Sequence, residues 1–368
     1  DARRLSGVEV LSYEKNAGLS LGNLQGFEDI REIDYFLADN GVDSILLQSR
    51  VNTGIASLAA TVGLTENVVG TIINRPTSPY VADLAVDPGD NKCGVGSWAR
   101  ATGGRADAEG EVIGTVSDLT STAPVELSYA GVQFGGDLAC FGGVYNGWDL
   151  AFGGIVGYNK GESTNNVFAI DATGNATDIL NSVTDTDISQ KYAGAYLTAA
   201  RGRLFGDVQL RYEVTDFEST NTAAAGRESF GINLTDEKYQ NHSQTLSGSV
   251  GYSWPLNEVG DFSFISLAGF QVSQSDTDDI DLGEDGTLEL EEKTSKLGFV
   301  SGTLAKTTIR PDNMGLLSYF GTATYYNDFS DSQQATLVNG ESRNPFDLSN
   351  LGSYGELSAG INYVRILN

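Results

Sequence analysis

The chain has 368 residues, with 49 Asp and Glu against 22 Lys and Arg, and a net charge of −27. It therefore lacks the basic surface that nucleic acid requires. No run of eighteen apolar residues occurs, which excludes a transmembrane helix but not membrane strands, whose hydropathy signal is weak. Length alone suggests two or three domains, unless the fold is a large barrel, which grows by adding hairpins rather than cores.

Residues 1–40 are mixed: Val8, Val10 and Leu11 suggest a short strand, and Tyr35, Phe36 and Leu37 a helical turn. Over 42–62 the period changes. Leu47, Val51, Ile55, Leu58 and Val62 recur at helical spacing, with Gln48, Asn52, Ser57 and Ala60 between them, and Gly63 ends the run. Thr65 is a candidate N-cap for a second short helix carrying Val68, Val69, Ile72 and Ile73, which must stop before Pro76. These helices are small and polar enough either for a water-facing surface or for threading a polar pore. Residues 75–94, with Pro76, Pro79 and Pro88, read as a linker ending at Cys93-Gly94.

From residue 95 onward the pattern is alternation. Leu204, Gly206, Val208, Leu210, Tyr212 and Val214 interleave with Phe205, Asp207, Gln209, Arg211 and Glu213, and the same holds around Trp148–Tyr158 and Leu246–Trp254. Ten strands are expected, at about 95–106, 124–138, 146–158, 189–201, 203–217, 240–254, 259–274, 292–306, 315–328 and 352–366. Their length suits a tilted bilayer crossing better than a sandwich. The gaps alternate. Those at 139–145, at Arg201-Gly202-Arg203, at 255–258 and at 307–314 are short. Those at 107–123, 159–188, 218–239, 275–291 and 329–351 are long. Short turns at one end and long loops at the other are the pattern of an antiparallel up-and-down β-barrel of the bacterial outer membrane.

In such a barrel the apolar face meets lipid and the polar face meets the lumen. Leu150, Phe152, Val156, Val208, Leu210, Tyr212, Val250 and Tyr252 are expected to face lipid. Arg100, Gln133, Asp137, Asp149, Asp207, Gln209, Arg211 and Glu213 are the lumen-lining candidates. Cys93 and Cys140 fall at the short-turn end of adjacent strands, which places a disulfide there, on the periplasmic side.

Three segments carry a resemblance to a known family. They are Gly96-Ser97-Trp98-Ala99-Arg100-Ala101-Thr102-Gly103-Gly104, Tyr129-Ala130-Gly131-Val132-Gln133-Phe134-Gly135-Gly136-Asp137 and Trp148-Asp149-Leu150. In this order, behind a helical segment and a Pro-rich linker, the chain from 42 to 367 resembles the C-terminal translocator β-domain of autotransporters, the type V secretion proteins. The resemblance implies a barrel of about twelve strands with a helix in its lumen, a passenger N-terminal to it and outside the cell, and assembly by the barrel-assembly machinery. It divides the chain into a passenger or junction remnant at 1–41, a lumen helix and linker at 42–94, and the barrel at 95–368. The strand count of ten and the ending Tyr363-Val364-Arg365-Ile366-Leu367-Asn368, without a terminal aromatic, depart from it. The preferred reading is a chain cut two strands short, and the alternative a smaller barrel of ten.

Enzyme chemistry finds little support. His242 is the sole histidine and no nucleophile elbow lies near it. Two cysteines and one histidine do not make a zinc site. The frame Asp281-Leu282-Gly283-Glu284-Asp285-Gly286 with Glu292 is EF-hand-like, but Gly283 offers no side-chain ligand, so it reads as an acidic hairpin tip. Some members of the resembled family cleave their passenger in the lumen at an Asn of the helix. Asn52 and Asn67 lie in the corresponding segment, without the Asn-Asn junction of that reaction. The expectation is a monomeric protein without cofactor, metal or turnover, which exports and anchors its passenger from the outer membrane. Alternatives are a porin-like channel with an internal plug, and a surface adhesin barrel acting through its acidic loops.

Overall fold

The computed structural model describes residues 8–12, 33–39, 44–51, 58, 93–114, 120–170, 176–224, 234–283, 286–309, 315–340, 342–348 and 352–367. Upstream, β1 (Val8–Ser12), β2 (Ile33–Asp39) and β3 (Ser44–Val51) form a small antiparallel sheet with β3 in the centre. Two expectations are corrected here. Tyr35-Phe36-Leu37 belongs to a strand, and Ser44–Val51 is strand rather than the first half of a helix. The reason is arithmetic: Leu47 and Val51 are four residues apart, a spacing that shares a face on a helix and on a strand alike. Pairing on both edges of β3, with Leu47 opposite Val8 and Leu37, then settles the choice. Further along, Leu58 is helical. The expected second helix, most of the linker, Asn52 and Asn67 lie outside the described residues.

The long strands follow: β4 (Cys93–Gly114), β5 (Thr120–Tyr145), β6 (Trp148–Ile170), β7 (Ala176–Arg201), β8 (Leu204–Ala223), β9 (Glu237–Pro255) and β10 (Phe262–Thr277). The chain continues through β11 (Ile280–Asp281), β12 (Thr287–Leu290), β13 (Lys293–Ile309), β14 (Gly315–Asp328), β15 (Gln333–Asn339), β16 (Ser342–Leu348) and β17 (Ser353–Leu367). β4 to β10 pair antiparallel in sequence order, followed by β10 with β13, β13 with β14 and β14 with β17, and β17 pairs with β4 from Gly355 opposite Asp107 to Leu367 opposite Val95. This last ladder closes a ten-stranded barrel made of β4–β10, β13, β14 and β17. Each corresponds to one of the ten expected strands. The residues of this sequence therefore close with ten strands.

The short turns are chemically specified. Asn146 and Gly147 both have positive φ (57° and 85°) between the paired Tyr145 and Trp148, as a two-residue hairpin that follows the sheet's twist requires. At the next short turn, Gly202 supplies the positive φ of 60° between Arg201 and Leu204. The Asn257 carboxamide oxygen accepts from the backbone N–H groups of Gly260 (3.0 Å) and Phe262 (3.3 Å) and shapes the third. At the same end a disulfide joins Cys93 to Cys140, which are directly opposite residues of β4 and β5.

The outer wall carries an apolar belt. On β8 it runs from Leu204 through Val208 and Leu210 to Tyr212, and Leu210 is 59% exposed. Phe134, Phe152, Val156, Val250, Val300, Leu304 and Ile361 continue it around the barrel. Leu150 and Tyr252 lie on the same face, half-buried. Ten residues of tilted strand cover about 25 Å of height, the thickness of the apolar band of a membrane barrel. Trp254, Tyr145, Tyr319 and Phe262 near the short turns give that band an aromatic margin.

Beyond the belt the strands continue, where loops were expected. The β6–β7 ladder extends from Asn159 opposite Gln190 to Asn166 opposite Val183. Its outer face there is charged: Lys160, Glu162, Asp185 and Asp187 are exposed. Ion pairs decorate this level, Lys191 with Asp216 at 3.2 Å and Arg105 with Glu126.

Candidate functional site

The candidate site is the barrel interior, because the outer belt is committed to lipid. Period two sends every second residue inward, and the family-like segments prove to be inward-facing sets. Trp98, Arg100, Thr102 and Gly104 of β4 sit opposite Gly135, Gln133, Gly131 and Tyr129 of β5. The Trp98 indole lies across Gly135, and the Tyr129 ring across Gly104. A Cβ at either glycine would overlap the ring, so glycine here is a steric demand of its neighbour. The same interlock places Tyr196 over Gly153 and Tyr192 over Gly157.

The middle of the interior is polar and buried. Gln133, Asp137, Asp207, Gln209, Arg211 and Glu213 are all nine-tenths or more inaccessible. Buried polar groups at this depth need partners, and side chains on neighbouring strands supply them. Trp98 Nε1 donates to the Tyr196 hydroxyl at 2.7 Å, which donates in turn to Asp137 Oδ2 at 2.7 Å. Gln209 Nε2 donates to Asp207 at 3.0 Å, and the Ser249 hydroxyl donates to its other oxygen. The Arg211 guanidinium meets the Glu213 carboxylate at 3.0 Å. Gln190 Nε2 donates to Glu213 at 3.2 Å, and Asn159 Nδ2 donates to Gln190 Oε1 at 2.9 Å. This row crosses three strands, β6 to β8. Arg100 is half-buried on the inner face, with its guanidinium 4.5 Å from the centre of the Phe320 ring.

Asp149 sits apart from this layer. It faces inward at the short-turn end and accepts from the Gly143 backbone N–H at 2.9 Å, so it braces a turn. His242 lies on the outer face, stacked with Tyr212 and 3.2 Å from its hydroxyl through Nδ1. The EF-hand-like segment folds as the hairpin β11–β12, in which Asp281 accepts from the Gly283 backbone N–H at 2.8 Å.

Sequence reasoning missed one cluster. Glu356 of β17 is buried and accepts from the Tyr129 hydroxyl at 2.7 Å and from the Tyr326 hydroxyl at 2.9 Å. Tyr354 stacks on Tyr326 with ring centroids 4.9 Å apart. The alternation of Tyr354, Glu356 and Ser358 on one face of the last strand was the available signal.

Below and above the polar layer large apolar side chains enter the interior, above it alongside buried Ser163, Asn165, Thr184 and Ser219. Ala200, Phe205, Leu316 and Val364 occupy the short-turn end, and Leu127, Ile188 and Phe217 stand above. They form one cluster of buried side chains that also takes in Leu58, which has no exposed surface.

Three comparisons bear on identity. The family model "Autotransporter beta-domain" matches residues 97–365. A search of curated proteins returned no match. Similar solved structures include the β domain of the Bordetella autotransporter BrkA, at 13% identity over 74% of this chain and 99% of that one, with a TM-score of 0.43. They also include the outer membrane protease OmpT of Escherichia coli, at 7% identity over 74% and 97%, with a TM-score of 0.45. A third is the transport unit of the autotransporter AIDA-I of Escherichia coli, at 13% identity over 84% and 99%, with a TM-score of 0.41. The match spans most of the ten-stranded barrel and both interlocked segments of β4 and β5, so this chain belongs to the autotransporter β-domain family and is an outer-membrane translocator barrel.

Proposed function

We propose that the barrel exports the chain N-terminal to it and afterwards anchors that passenger on the cell surface, without enzymatic turnover. The observation that carries this reading is Leu58. It lies well upstream of the first barrel strand, is helical, and is buried in the same cluster as the inward-facing Trp98, Tyr192 and Tyr196. The first strand begins at Cys93, at the short-turn end. A chain that enters the lumen from that end and leads upstream emerges among the long loops.

The long-loop end is then the outside of the cell, and the short turns and the disulfide lie in the periplasm. The lipid-facing belt holds the barrel, and each of the ten barrel strands has two hydrogen-bonded neighbours, so no edge meets hydrocarbon. Inner groups such as Gln133, Asp137, Gln209 and Arg211 give the traversing segment polar partners. A single barrel closes without a second copy, which supports a monomer, inserted by the barrel-assembly machinery. The test is a reporter fused ahead of residue 1 and expressed in cells with an outer membrane. The reporter should be surface-exposed when attached to the whole chain and remain periplasmic when the strands from β13 onward are removed. A reporter that stays periplasmic with the intact barrel would favour the porin-like channel.

A further inference from the structure

The segments between β10 and β13 and between β14 and β17 are more than loops. β16 continues from β4 (Phe346 opposite Gly114), β15 pairs with β16, β12 with β15, and β11 with β12. On the far side, the Asp278 backbone N–H donates to the Gln240 carbonyl of β9 at 2.9 Å. These pieces replace β13, β14 and β17, which end lower down, and complete a second ring of wall above the apolar belt. Polarity in this upper storey is inverted on the wall formed by β11, β12, β15 and β16. Outward lie Glu289, paired with Arg343, and, on the opposite wall, Glu162, Asp187 and Glu218. Inward lie Ile280, Leu288, Ala335, Leu337 and Phe346, each with no exposed surface. The opposite wall is mixed: Leu127, Ile188, Phe217 and Tyr239 lie inward beside buried Ser163, Asn165 and Thr184, and Thr186, Ser219 and Tyr239 are hydrogen-bonded in a row at 2.9 and 3.1 Å.

A water-filled mouth would wet those apolar side chains, which the hydrophobic effect disfavours. We infer that the two segments form a seal: an apolar stopper, built from two loops, that excludes water from the lumen at the long-loop end. The assignment goes beyond the export reading and does not depend on which side of the membrane that end faces. It requires the two segments to part when chain passes and to close around the chain that remains. The ladder between β12 and β15, the bonds of Glu291 to Gln333 and Gln334, and the Glu289–Arg343 ion pair join one segment to the other, so that seam is where they would separate.

The test uses single cysteines in the full chain, with the native pair oxidised, in detergent micelles and a hydrophilic maleimide. Leu337→Cys should label at least tenfold more slowly than Arg343→Cys on the neighbouring strand. Equal rates would mean a wet upper storey and overturn the seal. Ser247→Cys, on the inner face of the polar layer, reports what the seal protects. It should be protected in the otherwise native chain and become labelled once Leu288→Asp and Leu337→Asp are added. Protection that survives both changes would place the barrier elsewhere and overturn the proposal, as would labelling with the seal intact. Heat-shifted migration in a gel identifies variants that retain the barrel. If the double Asp variant loses it, Leu337→Ser alone serves in its place, with the same two readings. Failure of surface export leaves these rates unchanged, so the two readings fail separately.

Discussion

The indole of Trp98 lies across Gly135 on the adjacent strand, and its Nε1 continues inward to the Tyr196 hydroxyl at 2.7 Å. One residue thus packs two neighbouring strands and ties them to a third across the interior. The glycine is required because a side chain would stand where the ring does. Gly136, one residue on, faces outward, and the nearest atom to a Cβ there is Gly96 O at 3.6 Å, an ordinary contact.

Gly135→Ala should therefore destabilise the barrel by about 1–3 kcal/mol through overpacking, whereas Gly136→Ala should stay within about 0.5 kcal/mol. Reversible urea unfolding in lipid vesicles measures both. Equal effects would mean that the interlock does not govern packing.

The outer belt gives a second prediction. Arginine at Leu210 should cost about 2–4 kcal/mol, and arginine at the outward, half-buried Thr220 above the belt should cost under about 1 kcal/mol. The same unfolding measurement applies, and a small loss at Leu210 would put the bilayer at another height.

The buried ion pair gives a third. Arg211→Ala leaves the Glu213 carboxylate in a buried site with the neutral partners Gln190 and Thr245 but no cation, and should cost about 3–5 kcal/mol. Arg211→Met with Glu213→Leu together should cost much less, because no uncompensated charge remains. A double-mutant cycle reads the coupling, and additive losses would show the pair to be independent.

How much of this was legible in the sequence depended on the face. Strands near the belt announced themselves because Val208, Leu210 and Tyr212 alternate with Asp207, Gln209 and Arg211. The same strands ran on unrecognised past Asp216, since Glu218 and Thr220 outside and Ser219 inside offer no contrast to read. The upper storey was read as acidic loops for that reason, although Leu288 and Leu290, or Ala335 and Leu337, already carried period two in short runs. The cysteine pair was inferred from loop parity and is joined in the structure. Glu356 was missed because its partners, Tyr129 and Tyr326, come from two other strands, and only closure of the barrel brings all three together.

Thiol chemistry adds a fourth prediction. The unreduced, denatured protein should show no free thiol, because Cys93 and Cys140 are bonded. Reduction should leave the β4–β5 pairing in place, since that ladder continues for many residues beyond Cys93 and Cys140. Two labelled thiols without reductant would contradict the structure.

The central claim is that the chain upstream of the barrel is carried through it to the cell surface. The most direct measurement places single cysteines, in a background with Cys93 and Cys140 changed to Ser, at three positions and treats intact cells with an impermeant maleimide. The positions are Ala224 at the long-loop end, Gly202 in a short turn and Ala2 near the start of the chain. The account predicts labelling of Ala224→Cys and Ala2→Cys, with Gly202→Cys labelled only after the outer membrane is opened. Labelling of Ala224→Cys together with protection of Ala2→Cys would leave the N-terminal chain in the periplasm and contradict export.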